Sequence, residues 1–131
     1  MGQQQLLLII LGVIIVGIAI AVGISMFSSS SVQSNKDAIV NDLNNLAADA
    51  YQYKIRPTTM GGGGGNYGGY TVRAVLASNA NGTYTPTTAV AAGSQSFTLT
   101  GSSTPYAGST VTATLDSTGA LTSFTYAGQF Q

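Results

Sequence analysis

The sequence predicts an α+β fold, with a long N-terminal α-helix packed on a small antiparallel β-sheet C-terminal domain. The helix is apolar in its first half and amphipathic in its second. Three observations carry this reading. Leu6–Phe27 is a run of 22 residues without a charge, almost all of them apolar. Apolar residues then recur at three-and-four spacing as far as Ile55, two residues before Pro57. Beyond a tract of five glycines, short runs alternate apolar residues with Thr or Ser, the period of a half-buried strand.

The opening segment comes first. As a helix, Leu6–Phe27 measures about 33 Å at about 1.5 Å per residue, close to the roughly 30 Å of a bilayer's hydrocarbon core. A cleaved secretory signal needs a basic start and an apolar stretch of only about 7–15 residues. Met1–Gln5 holds no Lys or Arg and the apolar run is longer, so a retained helix is expected. Its assembly or membrane surface comprises Gln5, Leu6, Leu7, Leu8, Ile9, Ile10, Leu11, Gly12, Val13, Ile14, Ile15, Val16, Gly17, Ile18, Ile20, Val22, Gly23, Ile24, Met26 and Phe27. Small residues let apolar helices approach closely, but Gly12, Gly17 and Gly23 are five and six apart and make no strict small-xxx-small face. An ordinary anchor and a self-packing helix both fit.

The stretch from Val32 onward reads as the amphipathic half. Val32, Ile39, Val40, Leu43, Leu46, Ala47 and Ala50 form the stripe expected to pack on the sheet. Lys36, Asp37, Asn41, Asp42, Asn45 and Asp49 occupy the other faces, where a solvated surface is expected of the acids. Lys54 and Arg56 suit the negative end of the helix dipole, and Pro57 stops the helix. Ser28–Ser31 leaves continuity open; one rod from about Gln3 to Arg56 is the favoured reading.

Residues 1–56 are thus one helical element, with 1–27 hydrophobic and 32–56 amphipathic. Residues 57–69 read as a Gly-rich flexible linker, and 70–131 as the β-domain. Four runs are expected as strands: Tyr70–Ser78, Ser94–Thr100, Ser109–Ser117 and Ala120–Gly128. Asp116-Ser117-Thr118-Gly119 supplies a hairpin turn between the last two, and Asn79–Gly82 another turn. Asn81-Gly82-Thr83 marks Asn81 as a candidate glycan acceptor.

Composition narrows the function. The chain has four basic and four acidic residues in 131 and a formal net charge of zero, so no basic footprint argues for nucleic acid. So low a charge density suits an assembly or a membrane better than a free monomer. With no His, Cys or Glu, acid–base catalysis would fall to Asp, Lys and Tyr, and no enzyme, cofactor or metal site is expected. Asp42 and Asp49 share a helix face without a third ligand.

The apolar start Leu6–Phe27, its amphipathic continuation "DLNNLAADAYQY" (Asp42–Tyr53) and the small β-domain together resemble a type IV pilin or pilin-like subunit. The resemblance implies a homopolymer: an extracellular filament whose subunit is anchored in the inner membrane by its helix before assembly. It also implies pilus assembly machinery and a prepilin peptidase as partners. Met1-Gly2 would be at most a two-residue leader, or Met1 the first mature residue. Pilins usually carry an acid at the fifth mature position; here Gln5 or Leu7 stands there. Two alternatives remain, a single-pass membrane-anchored surface or adhesive protein and a minor pseudopilin of a secretion system.

Overall fold

The computed structural model describes residues 2–131. Met1, which the expected helix and the leader reading both include, lies outside the described residues. The architecture is α+β: one long N-terminal helix and a four-stranded antiparallel sheet. Helix α1 spans Gly2–Ile55. Ser28–Ser31 does not interrupt it, in keeping with serine's moderate helix propensity. By contacts the chain divides into two compact units, Met1–Gln33 and Ser34–Gln131.

Within the second unit, the later part of α1 packs on the sheet. Ile39, Leu43 and Ala50 have no exposed surface, and Leu46 and Ala47 are buried beside them. Burying each larger side chain contributes about 1.5–3 kcal/mol. Val40 is half-buried at the edge of the stripe, and Val32, which belongs to the first unit, is also half-buried. The stripe also extends upstream to Asn35, four residues before Ile39, which is buried. Its amide donates to the Asn81 carbonyl at 3.2 Å and its carbonyl oxygen accepts from the Ser103 hydroxyl at 2.6 Å, so the burial is compensated.

Pro57 ends the helix, since the residue before a proline is steered out of the α region. The glycine tract then folds back as a cap instead of hanging free as a linker. The N–H groups of Gly63, Gly65 and Gly64 donate to the carbonyls of Tyr53, Lys54 and Arg56 at 2.8, 2.7 and 3.0 Å. These carbonyls at the end of α1 would otherwise lack partners. A side chain is excluded here: a Cβ on Gly62 would lie 2.2 Å from the Arg56 oxygen, and one on Gly63 1.9 Å from the Asn66 oxygen. Tyr67, just past the tract, is fully buried against Phe97 with ring centroids 5.2 Å apart.

The sheet is a meander of β1 (Gly82–Pro86), β2 (Phe97–Ser103), β3 (Thr110–Leu115) and β4 (Leu121–Ala127), paired in chain order. Alternation along β2 buries Phe97, Leu99, Gly101 and Ser103, and along β3 it buries Val111, Ala113 and Leu115. Asp116 organises the β3–β4 turn: one carboxylate oxygen accepts from the Thr118 and Ala120 amides at 2.8 and 3.0 Å, and Gly119 takes φ 86°. Gly101 sits at the closest approach of sheet to helix. A Cβ there would be 2.6 Å from Ile39 Cγ2 and 3.1 Å from the Tyr84 ring.

Two expectations for the β-domain are corrected. Tyr70–Ser78 is not a strand; Ala74–Ala77 forms the short helix α2, with extended backbone before it. Its alternation is too short to outweigh two alanines in four residues, alanine being the best helix former. The missing strand is instead β1, which begins at the residue expected to end a turn. β1 lies at the sheet's edge with Pro86 at its end, where a proline is tolerated.

Candidate functional site

The first unit carries the largest apolar surface. Every large apolar side chain from Leu6 to Phe27 is more than half exposed, from 52% at Val22 to 77% at Phe27. The helix is long and apolar enough to cross a membrane by length and composition, with a mean hydropathy of 3.2 in its best window and none of that window buried. Nothing inside the chain demands Gly12, Gly17 or Gly23, because a Cβ at any of them meets no atom within 4 Å. These glycines therefore cost helix stability, roughly 1 kcal/mol each in water, with no internal contact in return.

In the second unit, polar groups fasten α1 to the β-domain. Asp42, expected on a solvated face, is instead a hub. Its Oδ2 accepts from the Tyr84 hydroxyl in a short hydrogen bond, from Asn79 Nδ2 at 2.8 Å and from Asn81 Nδ2 at 3.4 Å. Asp49 does the same about two turns further on. It accepts from the Tyr70 hydroxyl at 2.9 Å and pairs with Arg73 at 2.6 Å. Burial first, then the hydrogen bond to the neighbouring carboxylate, raises the pKa of Tyr70 and of Tyr84 well above the ordinary tyrosine value of 10.0, so both stay neutral donors. Lys54 is buried, donates to the Ser117 carbonyl and lies 5.1 Å from the Tyr67 ring centroid. The Tyr67 hydroxyl reaches the Asp116 carbonyl at 2.8 Å. Both contacts hold the β3–β4 hairpin.

The candidate glycan acceptor Asn81 is half-buried in the Asp42 hub, and its carbonyl accepts from Asn35 and Thr104. Attachment at Nδ2 would require the amide to leave Asp42. Among the described residues, no group of three His, Cys, Asp or Glu could hold a metal ion.

Among the described residues, a cleft and a groove open on this unit. A polar cleft of ≈ 230 Å³ lies near the end of α1, lined by Asp49, Gln52, Tyr53, Arg56, Tyr70, Thr71 and Arg73. A shallower apolar groove of ≈ 390 Å³ runs beside β1, with Tyr70, Val72, Ala77, Tyr84, Pro86 and Val90 among its walls. The sequence gives no local sign of either, since Asp49 and Arg73 are 24 positions apart. Asn35 was detectable: it occupies the apolar stripe at a four-residue step before Ile39. Comparison with protein families, with curated proteins and with solved structures found no match.

Proposed function

We propose that the chain is a structural subunit of an extracellular, type IV pilus-like filament, polymerising through its hydrophobic N-terminal helix. The observation that carries this reading is the exposed, uncharged face of residues 6–27, in one continuous helix with the stripe that holds the sheet. Glycines without an internal role support it further, because close approach between neighbouring helices would give them one. Burial of such side chains at about 1.5–3 kcal/mol each gives tens of kcal/mol gross. The membrane recovers most of the same energy, so the net drive into a filament is a small difference between two apolar environments. The partners on this reading are further copies of the chain, the inner membrane before assembly, and an assembly machinery with its prepilin peptidase.

The helix's fitness to span a bilayer also favours a second reading, a single-pass anchored surface protein. Electron microscopy of sheared surface material separates them. Fibres that bind antibody against this chain, and that disappear when the assembly ATPase is deleted, are expected. A chain that stays monomeric and reaches the surface unchanged without the ATPase would overturn the filament reading.

A further inference from the structure

We propose that the polar cleft near the end of α1 binds a carboxylate-bearing sugar, such as a uronic acid unit of an acidic polysaccharide. The chain has only four basic side chains, and two of them, Arg56 and Arg73, line this one cleft. Arg73 is held by Asp49 yet its side chain is 70% exposed, so its guanidinium keeps donors for a second acceptor. Arg56 is exposed and makes no ion pair among the described residues. The one acid in the wall is already satisfied by Tyr70 and Arg73. The cleft thus offers a surplus of planar, forked donors, the geometry that suits a carboxylate.

The remaining walls suit a sugar ring better than a bare anion. Tyr53 and Tyr70 meet edge to face with centroids 5.5 Å apart, giving an aromatic flank. The Tyr53 hydroxyl is tied to the Gly68 carbonyl at 2.8 Å, which fixes that flank. Gln52 and Thr71 supply an amide and a hydroxyl for ring hydroxyls. At ≈ 230 Å³ the cleft is smaller than the roughly 300–1,000 Å³ of drug-sized sites and suits one ring. The negative end of the α1 dipole would oppose an anion here. That opposition is reduced because glycine N–H groups occupy the Tyr53, Lys54 and Arg56 carbonyls.

The test is an NMR titration of the labelled full-length chain in detergent micelles, at constant ionic strength, with D-glucuronate, D-glucose and acetate. Glucuronate is expected to produce saturable shifts at Gln52, Arg56, Thr71 and Arg73, while glucose and acetate bind at least tenfold more weakly. Arg56→Gln, at a helix end and outside the core, is expected to weaken glucuronate by about tenfold or more, the loss of one charge-assisted hydrogen bond. Arg56→Lys should recover part of it, and Thr125→Ala on the exposed face of β4 should change nothing. The proposal is overturned if glucuronate gives no saturable shift, if glucose or acetate matches it, or if Arg56→Gln binds as the parent does. It is equally overturned if the same amides shift with protein concentration alone, which would assign the cleft to a second copy. Each readout comes from unassembled chain, so the outcome is independent of whether filaments form.

Discussion

Gly101→Ala is the sharpest test of how the helix is seated. The added methyl would lie 2.6 Å from Ile39 Cγ2 and 3.1 Å from Cδ1 and Cε1 of Tyr84. Neither neighbour can yield by swinging into solvent, because Ile39 is fully buried and Tyr84 is 1% exposed. Cγ2 also sits directly on the Ile39 Cβ, so moving it requires a new rotamer or a displaced helix. Overpacking of this kind costs about 1–3 kcal/mol. For a unit of about 100 residues, each kcal/mol lowers Tm by about 4–8 °C, so a fall of roughly 5–20 °C is expected. The assay is thermal unfolding of the full chain in detergent, followed by the near-ultraviolet circular dichroism of its seven tyrosines. Ile39→Ala alone should cost about 2–5 kcal/mol. Combined with Gly101→Ala it should cost less than the two effects added, by at least about 0.5 kcal/mol, because the new methyl enters the vacated space. A variant melting within 2 °C of the parent on the scale of these shifts, or strict additivity in the double variant, would refute the packing account.

Three further outcomes are expected. Ile14→Asp places a carboxylate midway along the apolar run, at about 2.5–3.5 kcal/mol in a bilayer, a cost the remaining apolar residues outweigh, so fractionation should still find the chain in the membrane while microscopy shows fewer fibres. Gln5→Ala should assemble nearly as well as the parent if apolar packing dominates; loss of fibres would instead make the amide a determinant of register. Because Tyr70 and Tyr84 have pKa values raised above 10.0 in the folded chain, their contribution is complete below pH 10 and is lost as pH rises through the folded values. Denaturant titrations should therefore show stability level to about pH 9 and falling above pH 10. Tyr84→Phe should cost about 1–3 kcal/mol near neutrality by leaving Asp42 short of a donor, and should flatten the alkaline fall.

The parts of this fold that were legible in the sequence are those governed by near neighbours. The stripe Ile39–Leu43–Leu46–Ala50 is periodic, and the Asp116–Gly119 turn is chemically self-contained, so each could be read without knowing what lay opposite. β1 could not, because its pairing depends on a strand beyond a long loop: Gly82 meets Ser103 and Tyr84 meets Gly101. The glycine tract failed for a related reason. Composition describes the freedom of the unfolded chain, whereas the folded tract is fixed by carbonyls that α1 leaves unpaired. The settings of Asp42 and Asp49 are not legible in the sequence, because a carboxylate's surroundings depend on donors distant in sequence, Tyr84 for Asp42 and Arg73 for Asp49. Residues 6–27 were readable for the opposite reason. Their exposure needs no partner within the chain, only the chain's inability to cover them.

The scarcity of charge becomes intelligible once each charge is traced. Asp42 and Asp49 hold loops of the β-domain to α1, Arg73 completes the second of these contacts, and Lys54 holds the hairpin turn. Lys36 lies 3.9 Å from the centroid of Tyr126 on β4, and Asp116 folds its own turn. These six charges thus serve cohesion, and a surface rich in Thr, Ser and Gly is left to face water. Such a surface gives little of the mutual repulsion that keeps monomers apart. The proposed filament reading is consistent with that, since like-charged neighbours at short range would oppose assembly at every contact. The same economy makes Arg56 conspicuous. Among the described residues its side chain makes no ion pair, and it stands beside a second guanidinium in a small polar cleft, a placement that cohesion does not explain. Neutralising Arg56 should accordingly leave Tm within about 1 °C of the parent, as for a surface change of under 0.5 kcal/mol, while Arg73→Gln, which strips Asp49 of its cation, should lower it measurably. Equal losses from the two would mean that Arg56 is one more fastening and that the cleft has no surplus donor to offer.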